Sequence, residues 1–369
     1  MSRYLLTFCV AGAFALAASP ARAQIEGIPR YDHIIVIIAE NHGYDQIIDK
    51  PDAPNLNAPN LNKLAKSYGL ARKFYGEVHP SKANYIAMIG GDTFGLHDDD
   101  AYYCRAASHD HYCRSSETID LYVDHTVSAR SLVDQLKERN LTWKGYYESI
   151  PAAGSKAVFF PDPHSPVHGQ PNELYASKHN AFINFRSVQE DPAFAEKIVG
   201  FDRLFADLAG GQFPNYAHIV PNQCNDMHGM PKGPHVPHDC DFKNGPGRIA
   251  RGDKMIGDLV AKIQASPIWS AAGNVAIVVT WDESDDPPET KGVGCCGYDP
   301  NSPANFGGGH IPTIVVTNHG PRGVTDDTPH NHYSLLRTTE AAFGITEYLG
   351  HANDTGAGVR TMSKLFAVQ

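Results

Sequence analysis

The chain has 369 residues, 42% of them hydrophobic, with 41 Asp and Glu against 31 Lys and Arg. That length is ample to bury a core. A formal net charge of -10 argues against a chain that binds nucleic acid by neutralising phosphates, which needs a basic face.

The first residues, MSRYLLTFCVAGAFALAASPARAQ, combine a basic start at Arg3, an apolar stretch and Ala21-Arg22-Ala23. This is the pattern of an export signal, with cleavage expected after Ala23. The apolar stretch is too short, and too broken by small residues, to read as a membrane span. Cys9 lies deep inside it, which argues against a lipid-anchored cysteine. We therefore expect an exported protein, periplasmic or secreted, with no stable membrane anchor. Removing residues 1–23 takes away Arg3 and Arg22 and no acid, so the remainder is more acidic still. Residues 24–369 contain no internal repeat and no clean linker, and read as a single domain.

The first buried strand is the apolar run 32–39, which stops abruptly on Glu40, Asn41 and His42 in IIVIIAENHGYDQ. Such an ending is a turn, or one wall of a metal site. A helical pattern covers 58–69. In EVHPSKANYIAMIGG, Pro80 marks a turn and Ser81 opens a helix over 82–90. Ser81 fits an N-cap. It also fits a nucleophile, because the free N–H groups and dipole of a helix start favour an anion and a cation would lower the hydroxyl pKa. His79 beside it reads as a packed loop residue or a contact to a substrate oxygen. Residues 93–125, rich in Asp, His, Tyr and Cys, form a surface insertion. A helix over 129–139 and a strand over 142–147 follow, then a Pro- and Gly-dense insertion at 150–180.

The strand at 215–220 runs out into PNQCNDMHG, with Asp226 and His228 just beyond it. A helix covers 246–265, and the strand at 274–281 ends in TWDESDD, with Asp282 and Glu283. A third insertion spans 284–309. His310 then precedes a strand at 311–317, and His332 opens a helix over 332–343, where it reads as a cap. Strands alternating with helices predict an α/β fold with a mostly parallel sheet covered on both faces. In such sheets ligands bind beyond the carboxyl ends of the strands. Each polar residue taken alone has an ordinary structural reading. Their recurrence at one sheet edge is the signal.

Six cysteines remain after residue 23, and an oxidising compartment makes them disulfide candidates. Cys104 with Cys113 is the most local pairing. Cys295 and Cys296 are adjacent and are expected to reach separate partners. A zinc site made of these cysteines has less support, because no CxxC pair is present.

The segments AENHGYD, HPSKANYIAMIGG, KHNAF, PNQCNDMHG, TWDES, GGHIPTIVV and HYSLLRTTE occur in one order over roughly residues 30–345. In this the chain resembles the bacterial and fungal acid phosphatase and phospholipase C family of the alkaline-phosphatase-like superfamily, and its shorter, acid-phosphatase-like branch in particular. The resemblance implies an α/β/α sandwich and a metal-assisted phosphoryl-transfer site. It puts a divalent ion (Mg, Ca, Mn or Zn) on Glu40, Asn41, Ser81, Asp282 and Glu283, with Ser81 as nucleophile. His79, His228 and His310 would assist catalysis and, with substrate-facing Asp226, would hold the phosphoryl oxygens or a second ion, while His179 and Asn180 would face the pocket and the substrate.

The chain departs from the family at Gly43-Tyr44, where Ser-Phe is usual, a change expected to alter packing more than chemistry. It also lacks the long C-terminal extension of the larger phospholipase members. The implied activity is hydrolysis of small phosphate monoesters through a phosphoserine. Protonated histidines, with an ordinary pKa of about 6.5, would favour an acidic optimum. A phospholipase C or other phosphodiesterase on the same site is an alternative, favoured if Tyr102, Tyr103, Tyr112 and Tyr122 form an aromatic rim. A catalytically inactive phosphate- or ligand-binding protein is a second. No C-x-P-x-R motif lies near Ser81 to support a sulfatase.

Overall fold

A computed structural model describes residues 24–113, 122–165, 173–233, 235–271, 273–285, 293–299, 301 and 307–368. The export-signal segment 1–23 and parts of the three insertions lie outside the described residues. Eleven strands are present among those described: β1 His33–Ala39, β2 Gly69–Tyr75, β3 Trp143–Tyr147, β4 Phe159–Phe160, β5 Tyr175–Ala176, β6 Ile198–Val199, β7 Tyr216–Val220, β8 Val275–Trp281, β9 His310–Thr317, β10 Val324–Asp326 and β11 His330–Asn331.

Nine of them form one sheet in the order β10-β2-β9-β8-β1-β7-β3-β6, with β11 also on β2. The pairings of β1 with β7 and β8, of β3 with β6 and β7, and of β2 with β10 and β11 are parallel. Only β9 runs against its neighbours, β2 and β8. The remaining two strands, β4 and β5, pair as a separate antiparallel ribbon inside the insertion at 150–180.

The central strands are uninterrupted apolar runs because both of their faces are covered. Every residue of β7 and β8 is buried, and all of β1 after His33. A strand with one wet face would alternate instead. The covering helices fall into two packed groups. Pro59–Ser67 meets Gly245–Gln264, while Lys82–Gly90 meets His332–Ala342 and Leu132–Glu138. This is the three-layer α/β/α arrangement expected from the sequence.

Besides several elements of two to four residues, two longer ones escaped sequence reading. In β2, GLARKFY, the middle residues Arg72 and Lys73 are exposed, so no apolar run marks the strand. The helix Phe201–Gly210 carries its buried residues on one stripe, Leu204, Asp207 and Leu208.

The direction of β9 matters for the site. Because it is antiparallel, its amino-terminal end lies at the same edge as the carboxyl ends of β1, β2, β7 and β8. Gly307, Gly308 and Gly309 there extend the ladder against Gly76 and Glu77. A Cβ on Gly76 would come within 2.8 Å of the Asp282 carbonyl and 3.0 Å of that of Gly308. Glycine at both positions lets the segment leading to Ser81 lie directly on Asp282 and Glu283.

Disulfides join Cys104 to Cys113 and Cys224 to Cys240. Cys295 and Cys296 do not reach separate partners: they are bonded to each other. With the other four cysteines paired among themselves, each of the adjacent two has only its neighbour.

Candidate active site and metal-binding centre

Four strand ends deliver the polar cluster. β1 ends on Glu40, which is fully buried, and Asn41, whose φ of 48° turns the chain. Asn tolerates that left-handed backbone better than most residues. β2 leads to Ser81, β7 to Asp226 and His228, and β8 to Asp282 and Glu283.

Ser81 lies at the centre. Its Oγ is 3.1 Å from Glu40 Oε2, 3.0 Å from Glu283 Oε1 and 3.5 Å from Asn41 Oδ1. The residue already has helical dihedrals, and its side chain does not cap the helix. The N-cap reading therefore fails: the hydroxyl does not bond the helix N–H groups and is turned into the carboxylates.

The helix beginning at Lys82 supplies two further side chains that the sequence analysis missed. Tyr85 donates its hydroxyl to Glu40 Oε1, and its ring stacks on His179 at 5.4 Å. Asn84 accepts from the backbone N–H groups of Glu77 and Val78 and donates to the Val78 carbonyl. Ser81, Asn84 and Tyr85 stand at i, i+3 and i+4, one helical face, and that spacing was the available signal. Replacing Asn84 by Ala leaves three buried backbone groups unpaired. We expect a loss of about 2 kcal/mol, read as a lower midpoint in urea denaturation. An unchanged midpoint would show that the clamp adds no stability.

His79 Nδ1 contacts Glu283 Oε2. His179 places Nε2 3.3 Å from Glu40 Oε1 and Nδ1 3.6 Å from Asp226 Oδ2. His228 gives Nδ1 to the Gly229 carbonyl, which leaves Nε2 for a ligand. Glu40, His179 and His228 each offer one ligand atom, all within 4.8 Å of one another.

The loop bearing Asp226 and His228 is held on several sides. Glu148 accepts from Asn222 and Asn225. Arg248 donates to the carbonyls of Met227 and His228, and the disulfide between Cys224 and Cys240 closes the loop. On the opposite flank, His332 Nε2 donates to the Asp282 carbonyl at 2.7 Å, so this helix-start histidine braces a strand end, and the expected cap is instead Asn331, which accepts from Ser334 N. Buried Glu77 accepts from His332 N and Asn331 Nδ2.

Two residues that the resemblance grouped with the site are held elsewhere. Asn180 caps a short 3-10 turn, accepting from Ile183 N, and reaches the Tyr175 hydroxyl. His310 sits in an aromatic stack, 4.5 Å from Tyr44 and 5.2 Å from Tyr75, bonded to the Arg72 carbonyl. Tyr44 is one of the departures from the family pattern, and packing against His310 is its use here.

The electrostatics of the cluster are severe. Burial, then Asp282 and Asp226, holds the Glu40 carboxyl well above its ordinary pKa. Burial and Glu283 do the same to Asp282, and burial raises Asp226 and Glu283. Asp226 Oδ2 and Asp282 Oδ2 accept no hydrogen bond among the described residues. Buried carboxylates crowded together must hold protons or share a cation. This donor set, rich in carboxylate oxygen and completed by an amide and two imidazoles, fits a divalent metal ion.

Burial pushes His228 down to about 3 and His179 well below its ordinary value. Both imidazoles are therefore neutral through the weakly acidic range, and the expected acid optimum does not follow from their protonation. The fixed positive charge is Lys178. Burial would lower its pKa, but Asp99 and Glu40 outweigh burial and raise it.

The chain belongs to the Phosphoesterase family, whose model matches residues 53–346. It is 26% identical to the phosphate-repressible acid phosphatase of Penicillium chrysogenum, over 91% of this chain and 64% of the fungal protein. It is 24% identical to the phosphatidylinositol-3-phosphatase of Mycobacterium tuberculosis, over 86% of this chain and 79% of that protein. It is also 24% identical to the non-specific phospholipase C1 of Arabidopsis thaliana, over 84% of this chain and 50% of that protein. The chain thus spans less than two thirds of the Penicillium relative and half of the plant one. The fold is shared with a protein of the alkaline phosphatase superfamily from Vibrio parahaemolyticus, at a TM-score of 0.50 and 12% identity, over 90% of this chain and 72% of that one.

Proposed function

We propose that the protein is an exported, metal-dependent hydrolase of phosphate monoesters that works through a phosphoserine at Ser81. The observation that carries this is the place of the Ser81 hydroxyl, 3.1 Å from Glu40 and 3.0 Å from Glu283 at a helix start it does not cap. Glu40, Asn41, Asp282 and Glu283, with Ser81 itself, would hold a divalent ion, and His179, His228 and Asp226 extend the donor set on the far side of Glu40. When bound, the ion lowers the pKa of a nearby hydroxyl and draws charge from a phosphoryl oxygen.

The chain's own residues do the rest. The Ser81 proton passes to a neighbouring carboxylate oxygen of Glu40 or Glu283. Ser81 Oγ forms a bond to phosphorus as the bond to the leaving oxygen breaks, and the alcohol departs with the proton that the carboxylate received. Water then attacks the phosphoserine, releasing inorganic phosphate and restoring the hydroxyl. Phosphoryl transfer needs chiefly positioning and charge stabilisation. Tyr85 fixes Glu40, and Lys178 offsets the surplus of negative charge. The disulfides support export, and no described helix is long and apolar enough to cross a membrane.

The test is hydrolysis of a chromogenic phosphate monoester beside its diester and phosphorylcholine analogues, before and after chelation, with Mg, Ca, Mn and Zn added back. We expect monoester turnover to fall by at least about 100-fold on chelation and to return with one of these ions. Preference for the diester would move the protein to the phospholipase branch, which the plant relative keeps open. Absence of all turnover with every ion would leave a binding protein.

A further inference from the structure

A cavity of about 340 Å³ opens beside the cluster. His228 is common to both: it offers a ligand atom alongside Glu40 and His179, and it also lines the cavity. Beyond His228 the walls turn apolar. Phe242 meets the His228 ring edge-on at 5.4 Å and is 42% exposed. Phe159, on β4, and Met230 complete this part. Phe159 in turn lies 5.9 Å from Tyr112, so the aromatic surface continues into the insertion loops.

The charges in the wall do not cancel. Lys178 is paired with Asp99 at 3.0 Å, which leaves the carboxylate of Glu173 in excess on the same wall. An apolar ring fits such a surface. A second anion would face the unbalanced Glu173 and be repelled.

We propose that this cavity seats the alcohol portion of the ester, and that it selects leaving groups that carry an apolar ring and no second anionic group. The inference rests on the reading that the Ser81 cluster handles the phosphoryl group. The phosphoryl group and the alcohol portion would then lie on either side of His228. Size alone agrees, since pockets of this volume hold small organic ligands.

Three alkyl monoesters test it, chosen so that the alcohol is aliphatic in each: ethyl phosphate, 2-phenylethyl phosphate and 3-phosphonooxypropionate. The expected kcat/KM for the phenylethyl ester exceeds that for the ethyl ester by about 10- to 100-fold, the range one buried apolar group gives. Phe242→Ala should remove most of that advantage through KM, leaving ethyl phosphate within about two-fold. Glu173→Gln should raise kcat/KM for the carboxylate-bearing ester severalfold and leave ethyl phosphate unchanged.

Equal turnover of the ethyl and phenylethyl esters by the unaltered protein would overturn the proposal while leaving the hydrolase reading intact. So would a Phe242→Ala variant that slows both esters equally through kcat. Failure to turn over ethyl phosphate or any other monoester would overturn both readings together.

Discussion

Ser81→Ala is expected to lose phosphomonoester turnover by at least about 1000-fold while keeping its fold, because a nucleophile contributes as part of a unit that fails when any member is removed. The side chain is 1% exposed and does not cap the helix, so its loss leaves no helix N–H group without its partner. What is lost is one oxygen among carboxylates. Without its metal the variant should be slightly less stable, since buried Glu40 and Glu283 lose a hydrogen-bond donor. Two measurements check this: burst-phase and steady-state kinetics with the chromogenic ester, and trapping of labelled phosphate on the protein after an acid quench. Label should appear on the parent chain and not on the variant. Normal turnover by Ser81→Ala would exclude the covalent route. Loss of turnover together with loss of the folded state would instead make Ser81 a structural residue.

The metal-free protein should lose stability as pH rises from about 6.5, above which its buried neutral histidines no longer oppose the trend, toward 8, the reverse of the usual carboxylate behaviour. Its buried carboxyls hold protons that their unfolded counterparts release. Glu77 moves from 4.5 to about 8, driven by burial, and Glu340 does likewise. Glu40, Asp226, Asp282 and Glu283 shift in the same direction. For each, the folded state binds more protons than the unfolded one between the two pKa values. Linkage then makes the contribution of these carboxyls to the slope of unfolding free energy against pH negative throughout that window.

A bound divalent ion opposes this slope at the site, because it needs the carboxylates ionised and its affinity grows as they deprotonate. The gap in melting temperature between loaded and metal-free protein should therefore widen from pH 5 to pH 8. At 100 times the dissociation constant, the ion adds about 2.7 kcal/mol. Calorimetry with and without a chelator across that range reads the gap. A gap that does not change with pH, or none at all, would show that these carboxylates do not hold the ion.

The sequence by itself settled a good part of this protein. The covered strands were legible because burial on both faces leaves continuous apolar runs such as HIIVIIA and VAIVVTW. The site edge was legible because each run breaks into polar residues at its carboxyl end. Local pattern also placed the helices at Lys82–Gly90 and His332–Ala342.

Tertiary structure decided what depends on the partner rather than on the residue. The local sequence of Ser81 fits a cap as well as a nucleophile, and only the arrival of Glu40 and Glu283 from strands far along the chain turns the hydroxyl inward. Asn180 and His310 belong to motifs that point to the site, yet a turn and an aromatic stack hold them. No local pattern records which way such a side chain faces. The histidine pKa values depend on how much water the assembled sheet edge excludes, so the sequence could supply the imidazoles but not their charge. Lys178 and Tyr85 stayed unnoticed for the same reason. Their roles come from neighbours such as Asp99 and the buried Glu40, which the fold brings close and the sequence alone does not display.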